Sequence, residues 1–120
     1  MGTVKLYGIP NCDTVKKAFN WLNKNNIAFE FHDYKKEGIT AAKLKDWCRI
    51  AGWETIFNTR STTWKEVMAA YEGLVNNKAE AIQIMQQHTS IIKRPVIEFN
   101  DSVITGFNEK EYIQKLINQS

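Results

Sequence analysis

The spacing of apolar residues changes twice within the first 32 positions, and no other feature constrains the fold as much. In Thr3–Gly8, Val4 and Leu6 alternate with other residues, the period of a buried strand. Val15, Ala18, Phe19 and Leu22 then recur at i, i+3, i+4 and i+7, the stripe of an amphipathic helix that Asn25-Asn26 ends. Ile27, Phe29 and Phe31 next alternate with Ala28, Glu30 and His32, which predicts a second strand. Strand, helix and strand of these lengths make a right-handed βαβ unit.

The middle of the chain has a different pattern. Thr40 is placed to cap a helix carrying Leu44, Trp47, Cys48 and Ala51, closed by Gly52. Thr63-Trp64-Lys65-Glu66 has capping-box spacing, with Trp64, Met68 and Tyr71 expected on one face. A further helix is expected from about Lys78 to His88. Val96–Phe99 and Ser102–Thr105 then flank Asn100-Asp101, which predicts a hairpin. Asn108 caps a last helix, with Tyr112, Ile113, Leu116 and Ile117 turned inward. The expected class is α/β: βαβ, a helical insertion at about residues 40–90, and ββα. The 120 residues read as one domain, with 1–39 and 91–120 as its core.

A chain of this size buries enough surface to fold without disulfide or metal. Its two cysteines lie far apart in sequence, which argues against a disulfide framework. No apolar run approaches the roughly 18 residues of a membrane span, and no secretory signal opens the chain, so a cytoplasmic location is expected. The net charge of +3 is dispersed, with only the short pairs Lys16-Lys17, Lys35-Lys36 and Lys93-Arg94. Direct nucleic-acid binding is therefore not expected, whereas a small anionic substrate is compatible.

Cys12 falls where the first strand gives way to the first helix, within Tyr7-Gly8-Ile9-Pro10-Asn11-Cys12-Asp13-Thr14. A helix N-terminus presents unpaired N–H groups and partial positive charge, and cysteines so placed are shifted towards the reactive thiolate. A free cysteine is commonly a small buried hydrophobe. Here Pro10, Asn11, Asp13 and Thr14 are polar or turn-forming, and the apolar period resumes only at Val15, which favours a reactive role. Lys16, one turn on, would stabilise a thiolate and Asp13 would oppose it. Residues 9 and 15 are isoleucine and valine, so no Cys-x-x-Cys is present. Cys48 sits on an apolar stripe and reads as core. A lone reactive thiol has to be resolved by another molecule, glutathione or a protein thiol. No Cys or His pair has metal-ligand spacing.

Arg94, in Lys93-Arg94-Pro95, offers a planar fork of donors suited to a carboxylate or oxyanion. Arg60, in Asn58-Thr59-Arg60-Ser61-Thr62-Thr63, carries no signal by itself. Together the Tyr7–Ala18 stretch, Phe31-His32-Asp33-Tyr34, Asn58–Trp64 and Lys93-Arg94-Pro95-Val96 resemble the ArsC/Spx family. The resemblance is nearest to its arsenate-reductase-like group, sometimes called YffB, and runs nearly end to end. It implies a thioredoxin-like fold with a mixed four-stranded sheet and a helical insertion. It also implies a cis Pro95 opposite Cys12, with Arg60 and Arg94 converging on the sulfur.

In arsenate reductases of this type a thiolate attacks arsenate held by arginines. Cys12, Arg60 and Arg94 match that pattern, but Gly106-Phe107-Asn108 lacks the further basic residue, and Gly8 replaces a histidine. Fewer cations would then face a multiply charged oxyanion. The function implied is a glutathione-dependent monothiol reductase in which the Cys12 thiolate forms a mixed disulfide. Arg60 and Arg94 would bind carboxylates, Asn11 and Thr14 would hydrogen-bond the sulfur, and Pro95 would wall the site. Glutathione is the expected co-substrate, with no bound cofactor and no metal. The alternatives are an arsenate reductase with fewer arginines, or an Spx-like regulator whose partner is the RNA polymerase α subunit.

Overall fold

The computed structural model describes residues 3–71 and 75–117, with only the backbone described at Tyr71. The elements run β1 (Val4–Gly8), α1 (Asp13–Lys24), β2 (Phe29–Asp33), α2 (Tyr34–Glu37), α3 (Ala41–Ala51), α4 (Trp53–Ile56), α5 (Thr62–Val67), α6 (Lys78–Gln87), β3 (Val96–Phe99), β4 (Ser102–Thr105) and α7 (Glu109–Tyr112). A 3₁₀ turn, Met68–Tyr71, follows α5, another, Thr89–Ile91, follows α6, and a π-type turn, Ile113–Ile117, continues α7. The chain divides into two compact units. One holds the residues up to Tyr34 and from Arg94 onward; the other is Lys35–Lys93.

The first unit is built on a sheet of order β2-β1-β3-β4. β1 pairs parallel with β2 (Gly8 opposite Asp33) and antiparallel with β3 (Tyr7 opposite Val96), and β3 and β4 form the expected hairpin. Asn100 adopts φ 54° in its turn, a left-handed conformation that asparagine tolerates better than most residues. Helix α1 ends where Asn26 turns to φ 57° and the Ile27 N–H bonds back to the Leu22 carbonyl. Val4 and Leu6 of β1, Ile97 and Ile104 pack against Val15, Ala18, Trp21 and Leu22 of α1 and Tyr112 of α7. This is the thioredoxin-like arrangement, a mixed sheet with the βαβ and ββα halves joined through β1 and β3. Ile27 precedes β2 rather than belonging to it, and Phe31 is exposed because β2 is an edge strand.

In the second unit, Thr40 caps α3 through the Lys43 N–H, and Leu44, Trp47 and Cys48 are buried. Two expectations are corrected. The cap of α5 is Ser61, not Thr63: the Ser61 hydroxyl accepts from Trp64 N–H and donates to the Ser90 carbonyl, starting the helix earlier. Met68 is exposed rather than aligned with buried Trp64, because the chain tightens into a 3₁₀ turn there. The side chain of Tyr71 lies outside the described residues. In the first unit, Ile113 (38% exposed) and Ile117 (47%) also face outward, while Tyr112 is buried and Leu116 packs on the core. The π-type turn changes the angular spacing on which their inward placement depended.

Candidate active site

Three segments of the first unit end at one edge of its sheet. β1 finishes at Gly8, β2 finishes beside it at Asp33, and β3 begins just after Pro95. From Gly8 the chain runs through Ile9, Pro10 and Asn11 to Cys12, the N-cap of α1, with extended backbone (φ −142°, ψ 125°). The Cys12 carbonyl accepts the first helical bond, from Lys16 N–H at 2.9 Å. The sulfur makes no capping hydrogen bond, so the dipole end of α1 is not closed by its own N-cap side chain. Cys12 is half-buried, one side packed on the core of the first unit. Asn11 is exposed and Thr14 half-buried.

Gly8 is buried, and its backbone is not in the left-handed region, so space alone restricts the position. A Cβ there would lie 2.9 Å from Val15 Cγ2 and 3.8 Å from Pro95 Cα. The strand end thus approaches both α1 and the proline segment too closely for a side chain. The Arg94–Pro95 peptide is cis, and Pro95 is buried; its carbonyl accepts from Gly106 N–H at 2.9 Å. Gly106 in turn accepts from the Tyr112 hydroxyl at 2.6 Å, and Phe107 packs edge-on against Tyr112. Where the arsenate pattern calls for a further cation, this loop is tied into aromatic packing.

The residue that sequence reasoning missed is Tyr34. It is fully buried (0% exposed), and the Arg94 guanidinium donates a hydrogen bond to its hydroxyl. Burial pushes that hydroxyl well above the ordinary phenol range; the Arg94 charge pulls the other way, and a negative charge on nearby Cys12 pushes further upward. Cys12, Tyr34 and Arg94 therefore form one electrostatically linked group. The sequence signal was slight: a large aromatic directly after an edge strand, in the Phe31–Tyr34 motif. Arg60 lies in the second unit, in the turn before α5, with its side chain exposed and its N–H donating to Asn58 Oδ1 at 3.1 Å. Cys48 is 5% exposed, and burial raises its thiol. No cluster able to hold a metal occurs among the described residues.

A thioredoxin-like frame with a single cysteine at the start of its first helix, and an arginine and a cis-proline leading into β3 at the same end of the sheet, defines a thiol-redox class of domain. Residues 7–115 match the model of the ArsC family, and the chain belongs to that family. It is similar to the solved structure of a YffB protein, with 40% identity, a TM-score of 0.89, and 95% of this chain and 99% of that one covered. An arsenate reductase (ArsC) related protein from Brucella melitensis shares 36% identity at a TM-score of 0.74, covering 96% and 95%. The global transcriptional regulator Spx of Streptococcus mutans is 28% identical over 110 residues, 90% of this chain and 79% of that protein. No helix among the described residues is long and apolar enough to cross a membrane.

Proposed function

We infer that this protein is a glutathione-dependent monothiol reductase. The observation that carries the reading is the linked group of Cys12, Tyr34 and Arg94: a half-buried cysteine at a helix N-terminus and an arginine that both act on one buried hydroxyl at the same end of the sheet. The Cys12 thiolate attacks a glutathionylated substrate at the glutathione sulfur. A Cys12–glutathione disulfide forms as the substrate sulfur–sulfur bond breaks, and the substrate leaves as a thiolate that takes a proton. A second glutathione thiolate attacks this mixed disulfide, restores the Cys12 thiolate and departs as oxidised glutathione. Two electrons pass from glutathione to the substrate.

Arg94 supplies the cation for a glutathione carboxylate. The role of Arg60 as a second carboxylate binder rests on the family resemblance, as do those of Asn11 and Thr14 at the sulfur and of Pro95 as a wall. The test is turnover of a glutathionylated peptide with reduced glutathione, followed by release of the free peptide thiol. Turnover by the wild type and none by Cys12→Ser is expected; equal rates in both would reject the reading. A regulatory reading is favoured by the Spx relative, which covers most of this chain. Its test is capture of the RNA polymerase α C-terminal domain, and stable capture without turnover would replace the enzyme reading.

A further inference from the structure

Tyr34 is wholly buried, although it opens a short helix at the end of an edge strand. A hydroxyl taken out of water needs a hydrogen-bond partner, and the Arg94 guanidinium is one. The pairing ties the end of β2 to the residue that leads into β3. β1 ends between them at Gly8, from which the chain continues to Cys12. Tyr34 and Arg94 thus lie at the sulfur's end of the sheet, close enough for charge on Cys12 to act on the hydroxyl.

The geometry points to Tyr34 as the positioning residue of this site: it holds the Arg94 guanidinium at the sulfur's end of the sheet, so that a carboxylate-bearing thiol or disulfide meets a cation already in place. The inference rests on the reading of Cys12 as the attacking group and names what recognises the co-substrate's carboxylate. An arginine side chain loses rotamer freedom when it binds, a cost that is reduced when the guanidinium is already fixed. A tyrosine suits this task better than an acidic residue. Burial keeps its hydroxyl un-ionised, so it accepts from the guanidinium without cancelling the positive charge. An aspartate in its place would orient the arginine and neutralise it together.

The test compares iodoacetate with iodoacetamide. Both alkylate the same thiolate with loss of iodide, but one carries a carboxylate and the other a neutral amide. The ratio of their rates at Cys12 reports the cation's pull, cancels any change in thiolate fraction, and needs no glutathione chemistry. Tyr34→Phe keeps the ring and is expected to lower the iodoacetate/iodoacetamide ratio about fivefold, the scale of one charge–charge contact in a partly screened site. Arg94→Ala should lower it at least as far, and adding Tyr34→Phe to Arg94→Ala should change nothing more. A wild-type ratio in Tyr34→Phe, or independent losses in the double variant, would overturn the inference. Arg94→Lys supplies a second measurement that leaves Tyr34 intact. An ammonium keeps the charge but not the rigid fork, so the ratio should fall, and an unchanged ratio would also overturn it. Failure of glutathione turnover while the ratios behave as stated would reject the reductase reading and leave the role of Tyr34 standing.

Discussion

Gly8→Ala is the substitution whose consequence follows most directly from the packing around β1. Its new methyl would lie 2.9 Å from Val15 Cγ2, whereas carbon atoms in packed interiors sit at about 3.5–4.0 Å. Val15 is fully buried on α1, and a β-branched side chain in a helix is confined to one preferred rotamer, so it has little room to turn away. Overpacking of this kind costs about 1–3 kcal/mol. Alanine returns about 0.4–1 kcal/mol by restricting the unfolded chain, since Gly8 does not need the left-handed region. The net expectation is a loss of about 1–2 kcal/mol, with a urea midpoint lower by about 0.5–1 M. Urea unfolding of Gly8→Ala, Val15→Ala and the double variant separates this contact from other causes. With the valine methyls gone, adding the alanine should cost almost nothing, giving a coupling of about 1–2 kcal/mol. Gly8→Ala as stable as the wild type, or strictly additive losses, would show that the Val15 contact does not limit this position. A larger side chain at position 8 would meet the same contact.

Other consequences are checked more briefly. Iodoacetamide at neutral pH should label Cys12 alone in the folded protein, because burial raises the Cys48 thiol and hides it; labelling of Cys48 at a comparable rate would contradict the packing of α3. Tyr34 and Tyr112 have hydroxyls raised by burial above the ordinary phenol value of 10.0, so the folded state holds their protons longer than the unfolded state. Their contribution is complete below that value and is lost as pH rises past it, so Tm should fall from about pH 10 upward, less steeply in Tyr34→Phe; a Tm that stays flat above about pH 10 would contradict this. Ser61→Ala removes the cap of α5 and a bond to the Ser90 carbonyl, and should cost about 1–2 kcal/mol in urea unfolding; a change below about 0.3 kcal/mol would show that the cap does not matter.

Much of the fold was legible because each element of the first unit has one buried face. Val4 and Leu6 at period two, and Val15, Ala18 and Leu22 at helical spacing, all reach the core as their spacing requires. Reading failed where backbone geometry departs from the ideal period. Ile113 and Ile117 lie on a π-type turn that rotates them outward, and Met68 lies on a 3₁₀ turn. Ser61, the cap of α5, lies two residues ahead of the more conspicuous Thr63 capping-box pattern, which hides it in the sequence. Cys12 stands out at its strand-to-helix junction and Arg94 by its planar fork of donors, whereas Arg60 and the cis Pro95 rest on the family resemblance. Tyr34 escaped because its part depends on a partner far away in sequence, which periodicity does not report. The constraint on Gly8 is likewise spatial, set by Val15 and Pro95 approaching from two different elements.

Mass spectrometry of the intact protein after incubation with oxidised glutathione tests the role of Cys12 most directly. One glutathione should attach to the wild-type chain, none to Cys12→Ser, and reduced glutathione should remove it. A wild-type chain that stays unmodified, or an adduct that persists in Cys12→Ser, would contradict the account.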